Sequence, residues 1–230
     1  MVRLVLNILV DGKPEEVSIR TSSFEEGIHT LRHYGLELIT ARELAEAHIH
    51  GRETDLTRTE DMLVAEAPIY YQEGSIVWVT GEKNPYLAAG YAHASQERGM
   101  EKDLAAELRR TAKRDPEEAY ASGAFLMLPQ DREAILTTRH FGHHPFTRFL
   151  FRQHAQAYGD WLHQHGVDHA LVWLMPEQYL AMETRTFART LSIRGLDGMA
   201  SFIAVDTGIR EKTMYGVRRA ADARPQQTKL

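Results

Sequence analysis

The sequence predicts a mixed α/β protein, and three observations carry that prediction. Of the 230 residues 43% are hydrophobic and 26% charged, the balance of a chain that buries a core. Short runs rich in Val, Ile and Leu alternate with stretches whose apolar residues recur every three or four positions, the periods of strand and helix. Turn and cap residues, among them Asp11-Gly12, Thr40-x-x-Glu43 and Pro145, stand at the boundaries between them. The expected fold class is α/β, in four stretches. Residues 1–83 form a small α+β unit with two β-hairpins and two helices, and 84–123 a polar helical connector. Residues 124–220 form an α/β unit with a His/Arg-rich helix, and 221–230 a disordered tail.

Val2 to Val10 and Val17 to Arg20 flank Asp11-Gly12, a hairpin signal because both residues tolerate the positive φ of a two-residue turn. Ser22 and Ser23, followed by Glu25 and Glu26, open a helix with Phe24, Ile28 and Leu31 on one side, ending near Gly35. Thr40 and Glu43 have capping-box spacing and start a second helix that Gly51 ends. The polar run from Gly51 to Asp61 reads as a loop. Met62 to Tyr71 and Ser75 to Thr80 then read as a second hairpin.

In the connector, Leu104 and Leu108 share one side of a helix over Glu101 to Lys113 whose other faces are charged. Ala124 to Pro129 is an expected strand. Pro145 suits the first turn of a long helix carrying Phe146, Phe149, Leu150, Ala157, Trp161 and Leu162 up to Gly166. Ala170 to Met175 has the continuous apolar character of a buried strand. Phe187 to Ile193 and Ser201 to Val205 read as two strands around Gly195-Leu196-Asp197-Gly198.

With no cysteine, the chain has no disulfide, no thiolate metal site and no thiol nucleophile. Val2 to Val10 is interrupted by Arg3 and Asn7 and reads as a strand rather than a leader, and no window has the run of about 18 apolar residues that a membrane helix needs. The expected location is the cytoplasm, without a membrane partner. The net charge of −5 is uneven. From Arg185 to Leu230 nine bases face four acids, a net +5, and the preceding residues hold 18 bases against 28 acids, a net −10. That asymmetry points to an anionic partner for the C-terminal part, or to the protein's own acidic half.

Two groups of residues could carry chemistry. The first is His140, His143, His144, Arg148, Arg152 and His154. Imidazoles ligate zinc and similar divalent transition metals when three or more converge, and two arginines four apart on a helix face can clamp a phosphate. The second is Arg210 to Ala220, where Arg210, Lys212, Arg218 and Arg219 surround Tyr215, bases for phosphates and a ring for stacking on a nucleobase. Both groups also have structural readings: loop or capping histidines in the first case, an edge strand with solvated charges in the second. A further group, His163, His165 and His169, closes the long helix, where imidazoles bond the last carbonyls.

The run GLDGMASFIAVDTGIREKTMYGVRRA resembles the closing strands of C-type-lectin-like and formylglycine-generating-enzyme folds, which end on a Gly-x-Arg strand. The resemblance covers 26 residues and lacks that fold's tryptophan-glycine core signature, so it assigns no family. The Arg-His helix and Gly-Val-Asp turn resemble those of tyrosine recombinases, but the later Leu-Gly-His and the nucleophilic tyrosine are missing.

The leading expectation is a non-catalytic protein that binds nucleic acid or another polyanion through Arg148, Arg152, Arg210, Lys212, Tyr215, Arg218 and Arg219. The alternative is a phosphoester hydrolase in which His140, His143 or His144 shuttles protons or, with His154, holds a divalent metal, while Arg148 and Arg152 hold the anion. A third is an interaction protein with no small ligand of its own.

Overall fold

The computed structural model describes residues 3–10, 13–21, 23–51, 61–88, 99–174, 185–194, 200–205 and 212–218. β1 (Arg3–Val10) and β2 (Lys13–Thr21) form the expected hairpin, with Val10 opposite Lys13. The Asp11-Gly12 turn lies outside the described residues. Helix α1 (Phe24–His33) starts where Ser23 accepts from the Glu26 amide at 3.3 Å, and it buries Phe24, Ile28 and Leu31. Its Gly27 has no room for a side chain, because a Cβ there would meet Thr21 and Met214, so the helix lies directly on β2 and the last strand. Strand β3 (Glu37–Leu38) leads into α2 (Ala41–Ile49), whose N-terminus carries the full capping box of Thr40 and Glu43.

Two expected strands are each divided between two sheets. Met62 to Tyr71 splits into β4 (Asp61–Val64) and β5 (Ala67–Tyr70), and only β5 forms the hairpin with β6 (Ile76–Val79). Chain and sheet part at Ala65-Glu66, where the Ala65 amide bonds the Ile39 carbonyl at 2.9 Å. Phe187 to Ile193 divides in the same way into β10 (Phe187–Ala188), paired with β5, and β11 (Thr190–Arg194), paired with β4. Between them the Arg189 amide bonds the Pro68 carbonyl at 2.9 Å, so the two crossovers lie side by side.

The larger sheet runs β1-β2-β13-β4-β11-β12-β9-β8, with β3 on β13, and the smaller β10-β5-β6-β7. Here β7 is Ala124–Met127, β8 Ile135–Thr137, β9 His169–Trp173, β12 Ala200–Val205 and β13 Lys212–Val217. Strands of segments 1–83 and 124–220 therefore share one sheet. β13 is inserted between β2, to which it is antiparallel, and β4, to which it is parallel.

Successive strand residues alternate between two cores on opposite sides: Met62, Val64, Trp78 and Tyr215 in one, Leu63, Val77, Val79 and Met214 in the other. Both faces of these strands are covered, which is why they read as continuous apolar runs, whereas β9, expected as a buried strand, leaves His169 and Trp173 exposed. Helix α3 (Lys102–Thr111) buries Ala105 and Leu108 and exposes its charged faces, and α4 (Pro116–Ser122) is capped by Asp115.

The expected long helix from Pro145 to Gly166 is two helices. α5 (Pro145–Phe151) stops at Arg152, whose φ of 54° and ψ of −132° break the ladder, and α6 (Ala155–Gln164) follows a single turn of tighter helix. Neither proline nor glycine causes this break. Phe151, Ala155 and Tyr158 are all buried, and the kink lets both helices face the aromatic core that they share with Phe141 and Phe202.

A candidate anion-binding cleft

The break at Arg152 opens onto a cleft of about 530 Å³ whose wall includes Arg42, Glu66, Lys83, Tyr120, Leu150 and Arg152. Each wall has a local cause. At the N-terminus of α2 the Glu43 carboxylate accepts from the Thr40 amide and hydroxyl, both at 2.8 Å. The buried Glu66 carboxylate accepts from the Ala41 amide at 2.9 Å. Two of the cleft's acids thus satisfy backbone amides at the positive end of a helix dipole. The third, Glu82, is exposed.

The opposite wall is fixed by the pairing of β6 with β7, which brings Thr80 to Gly123 through an amide–carbonyl bond of 3.0 Å. Gly123 ends α4 at φ +74°, and a Cβ on it would stand 2.8 Å from Lys83 Cγ. Gly81 is confined too, with Ala65 Cβ 2.9 Å from where its own Cβ would be. The lysine stem therefore lies along a strip that only glycine leaves clear.

Arg152 carries its guanidinium carbon 3.1 Å from the centre of the Tyr120 ring. Stacking occupies the faces of a guanidinium and leaves its N–H groups, all in the plane, pointing outward. Among the described residues no carboxylate pairs with Arg152 or Lys83, whereas Arg42 reaches Glu46 at a long 3.8 Å. The cleft so combines two cations without acidic partners and two carboxylates already engaged by amides.

The four histidines of the alternative metal-site reading, His140, His143, His144 and His154, are not brought together. Among the described residues no three His, Asp or Glu side chains are placed to share an ion. His140 and His143 are exposed, and the amides of His143 and His144 both bond the His140 carbonyl in a tight turn. His144 faces Glu133 at 3.5 Å, and burial pulls its pKa below the usual imidazole value while Glu133 pushes the other way. His154 pairs with Glu46 at 2.9 Å, a helix away.

Arg148 and Arg152 are not brought together either: the break between α5 and α6 turns Arg152 toward Tyr120, and Arg148 pairs with Glu117 at 2.9 Å. In the C-terminal segment Tyr215 is a core residue, 4% exposed, and its ring is closed off from any nucleobase. Arg218 donates to the Tyr34 carbonyl at 3.1 Å. Arg210 and Arg219, and the side chain of Lys212, lie outside the described residues. Reasoning from sequence did not find Arg42, Glu66, Lys83 or Tyr120, although the capping box beside them was readable.

No family model matches the chain, and no curated protein matches it. A solved structure described as "Accommodation of massive sequence variation in Nanoarchaeota by the C-type lectin fold" is similar, with a TM-score of 0.60 over 87% of this chain and 96% of that one. At 15% identity the likeness is one of fold: this chain has a C-type-lectin-like arrangement of mixed helices and strands. Among the described residues no helix is long and apolar enough to cross a membrane.

Proposed function

We propose that this chain is a binding module that seats an anionic group of its ligand in the Arg152 cleft. The carrying observation is Arg152 itself, held in a left-handed backbone conformation with its guanidinium flat on Tyr120. Backbone strain of this kind costs about 1–3 kcal/mol and persists only where the surroundings impose it, which is typical of ligand sites. The stacked guanidinium offers a pair of coplanar donors that suits a carboxylate or phosphate, and Lys83 adds a second positive charge to the same cleft. This keeps the polyanion reading of the sequence and moves it from the C-terminal strand to the cleft.

Calorimetric titration with inorganic phosphate and with a short single-stranded oligonucleotide tests the proposal. Arg152→Ala and Lys83→Ala should each weaken binding about tenfold or more, the scale of a lost charge-assisted contact. If the oligonucleotide binds, affinity should fall with salt, by about 0.7 in log–log slope per phosphate held. Binding unchanged in both variants would refute the cleft as the site.

A further inference from the structure

A second cavity, of about 450 Å³, lies against the Arg152 cleft, and Gly81 and Glu82 are wall residues of both. Its character is different. The apolar residues Ile28, Leu31, Leu36, Leu38, Ala65 and Leu87 line it, brought together from α1, the turn into β3, the bend between β4 and β5 and the helical turn Pro85–Ala88. A concave, mostly apolar space with a few polar groups at its border is the usual form of a small-molecule site.

The chain builds the floor of this cavity before any ligand arrives. Helix α1 ends at Gly35, φ +66°, where the Leu36 amide returns to the Leu31 carbonyl at 3.0 Å. That turn folds the chain back so that Leu31, Leu36 and Leu38, which are 1%, 2% and 4% exposed, line one space.

The partition between the two cavities is the tight turn Gly81–Lys83, and it is fixed from behind. Asn84, fully buried, donates to the Ala65 carbonyl at 2.7 Å and accepts from the Tyr86 amide at 3.0 Å. Lys83 lines the cleft and not the apolar cavity, Leu87 the apolar cavity and not the cleft. Positive charge therefore gives way to apolar surface across one turn of chain. Glu82 stands at the junction, exposed, where solvent and salt screen its charge.

We propose that the two cavities form one site for an amphipathic anion, with its carboxylate or phosphate head on Arg152 and Lys83 and its apolar arm past Gly81 against Ile28, Leu31 and Leu87. The inference rests on the Arg152 cleft as the anion site. A bare inorganic anion leaves the adjoining apolar cavity unused, and a purely apolar ligand leaves the two cations unused; a ligand with both parts uses each.

Calorimetric titration with acetate, butanoate, hexanoate and octanoate, alongside inorganic phosphate, tests the inference. In the native chain affinity should rise about two- to fourfold for each added methylene, and the heat-capacity change should grow more negative with chain length. Leu87→Asp sets a charge in the apolar wall outside the cleft, so it should remove the dependence on chain length and leave phosphate binding intact. Arg152→Ala should weaken phosphate and octanoate together. If Leu87→Asp fails to fold, octanoate with a nitroxide at its far end serves on the native protein: it should broaden the amide signals of Arg32, Gly35 and Leu87 more than those of Tyr120 and Ala121. Whichever of octanoate and octyl phosphate binds tighter names the head group. Phosphate binding with no gain from acetate to octanoate, or a chain-length dependence that Leu87→Asp leaves unchanged, would overturn the inference and leave the cleft standing. Binding of neither phosphate nor any alkyl anion would remove both.

Discussion

The Arg152 guanidinium carbon lies 3.1 Å from the centre of the Tyr120 ring, joining the break between α5 and α6 to the last turn of α4. Arg152 combines the strain of a positive φ with the charge of the cleft, and substitution separates the two. Arg152→Gly should be more stable than Arg152→Ala by about 1 kcal/mol or more, since glycine adopts φ near +54° freely. Both should lose anion binding alike. Urea unfolding of the two variants checks the order, and equal stabilities would mean the backbone there is unstrained.

His144 supplies a pH dependence with a defined sign. Burial holds its folded pKa below the unfolded value of about 6.5, with the Glu133 carboxylate opposing in part, and its Nδ1 is buried with no hydrogen-bond partner. The unfolded chain therefore takes up the proton first. Stability is at its full value above about pH 6.5 and falls as pH drops through the folded pKa. The stability difference between native protein and His144→Gln should shrink or reverse on going from about pH 7.5 to 5, which urea midpoints at the two pH values would show.

Thr40 anchors one wall of the cleft. Thr40→Ala removes the acceptor for the Glu43 amide and the hydroxyl partner of the Glu43 carboxylate. The expected cost is about 1 kcal/mol of stability. Because Glu43 lines the cleft, phosphate affinity should change with it, and a stability loss with unchanged affinity would confine Thr40 to a structural role.

Gly159 sits where α6 passes the turn at Thr138. A Cβ at this position would collide with the Thr138 carbonyl oxygen and stand 3.0 Å from Phe141 Cβ. Gly159→Ala should cost at least about 1–3 kcal/mol despite the better helix propensity of alanine. Thermal denaturation decides it: a stabilised variant would mean that α6 can slide away from the turn.

Local features were legible in the sequence because their causes are local. Asp11-Gly12 marked the first hairpin, and the three-residue spacing of Thr40 and Glu43 marked the box that forms. The split strands were hidden, since Met62 to Tyr71 is equally apolar on both sides of the sheet crossover, and only the partner strands decide where each half goes. The kink at Arg152 was hidden as well: Phe-Arg-Gln-His has no helix breaker, and the packing of Phe151 and Tyr158 against one core overrides local preference. The cleft draws on residues from position 40 to position 152, a juxtaposition that no spacing in the chain announces.

The placement of β13 bears on how the chain is made. Thr21 lies beside Lys212, so about 190 residues separate two neighbouring strands near the middle of the larger sheet. A growing polypeptide cannot complete that sheet until β13 has left the ribosome. Until then β2 and one side of β4 each present an open flank to the cell, although β4 can already pair with β11. Synthesis halted shortly before Lys212 should yield a species prone to chaperone capture or aggregation, with β13 acting as the wedge that closes the structure last.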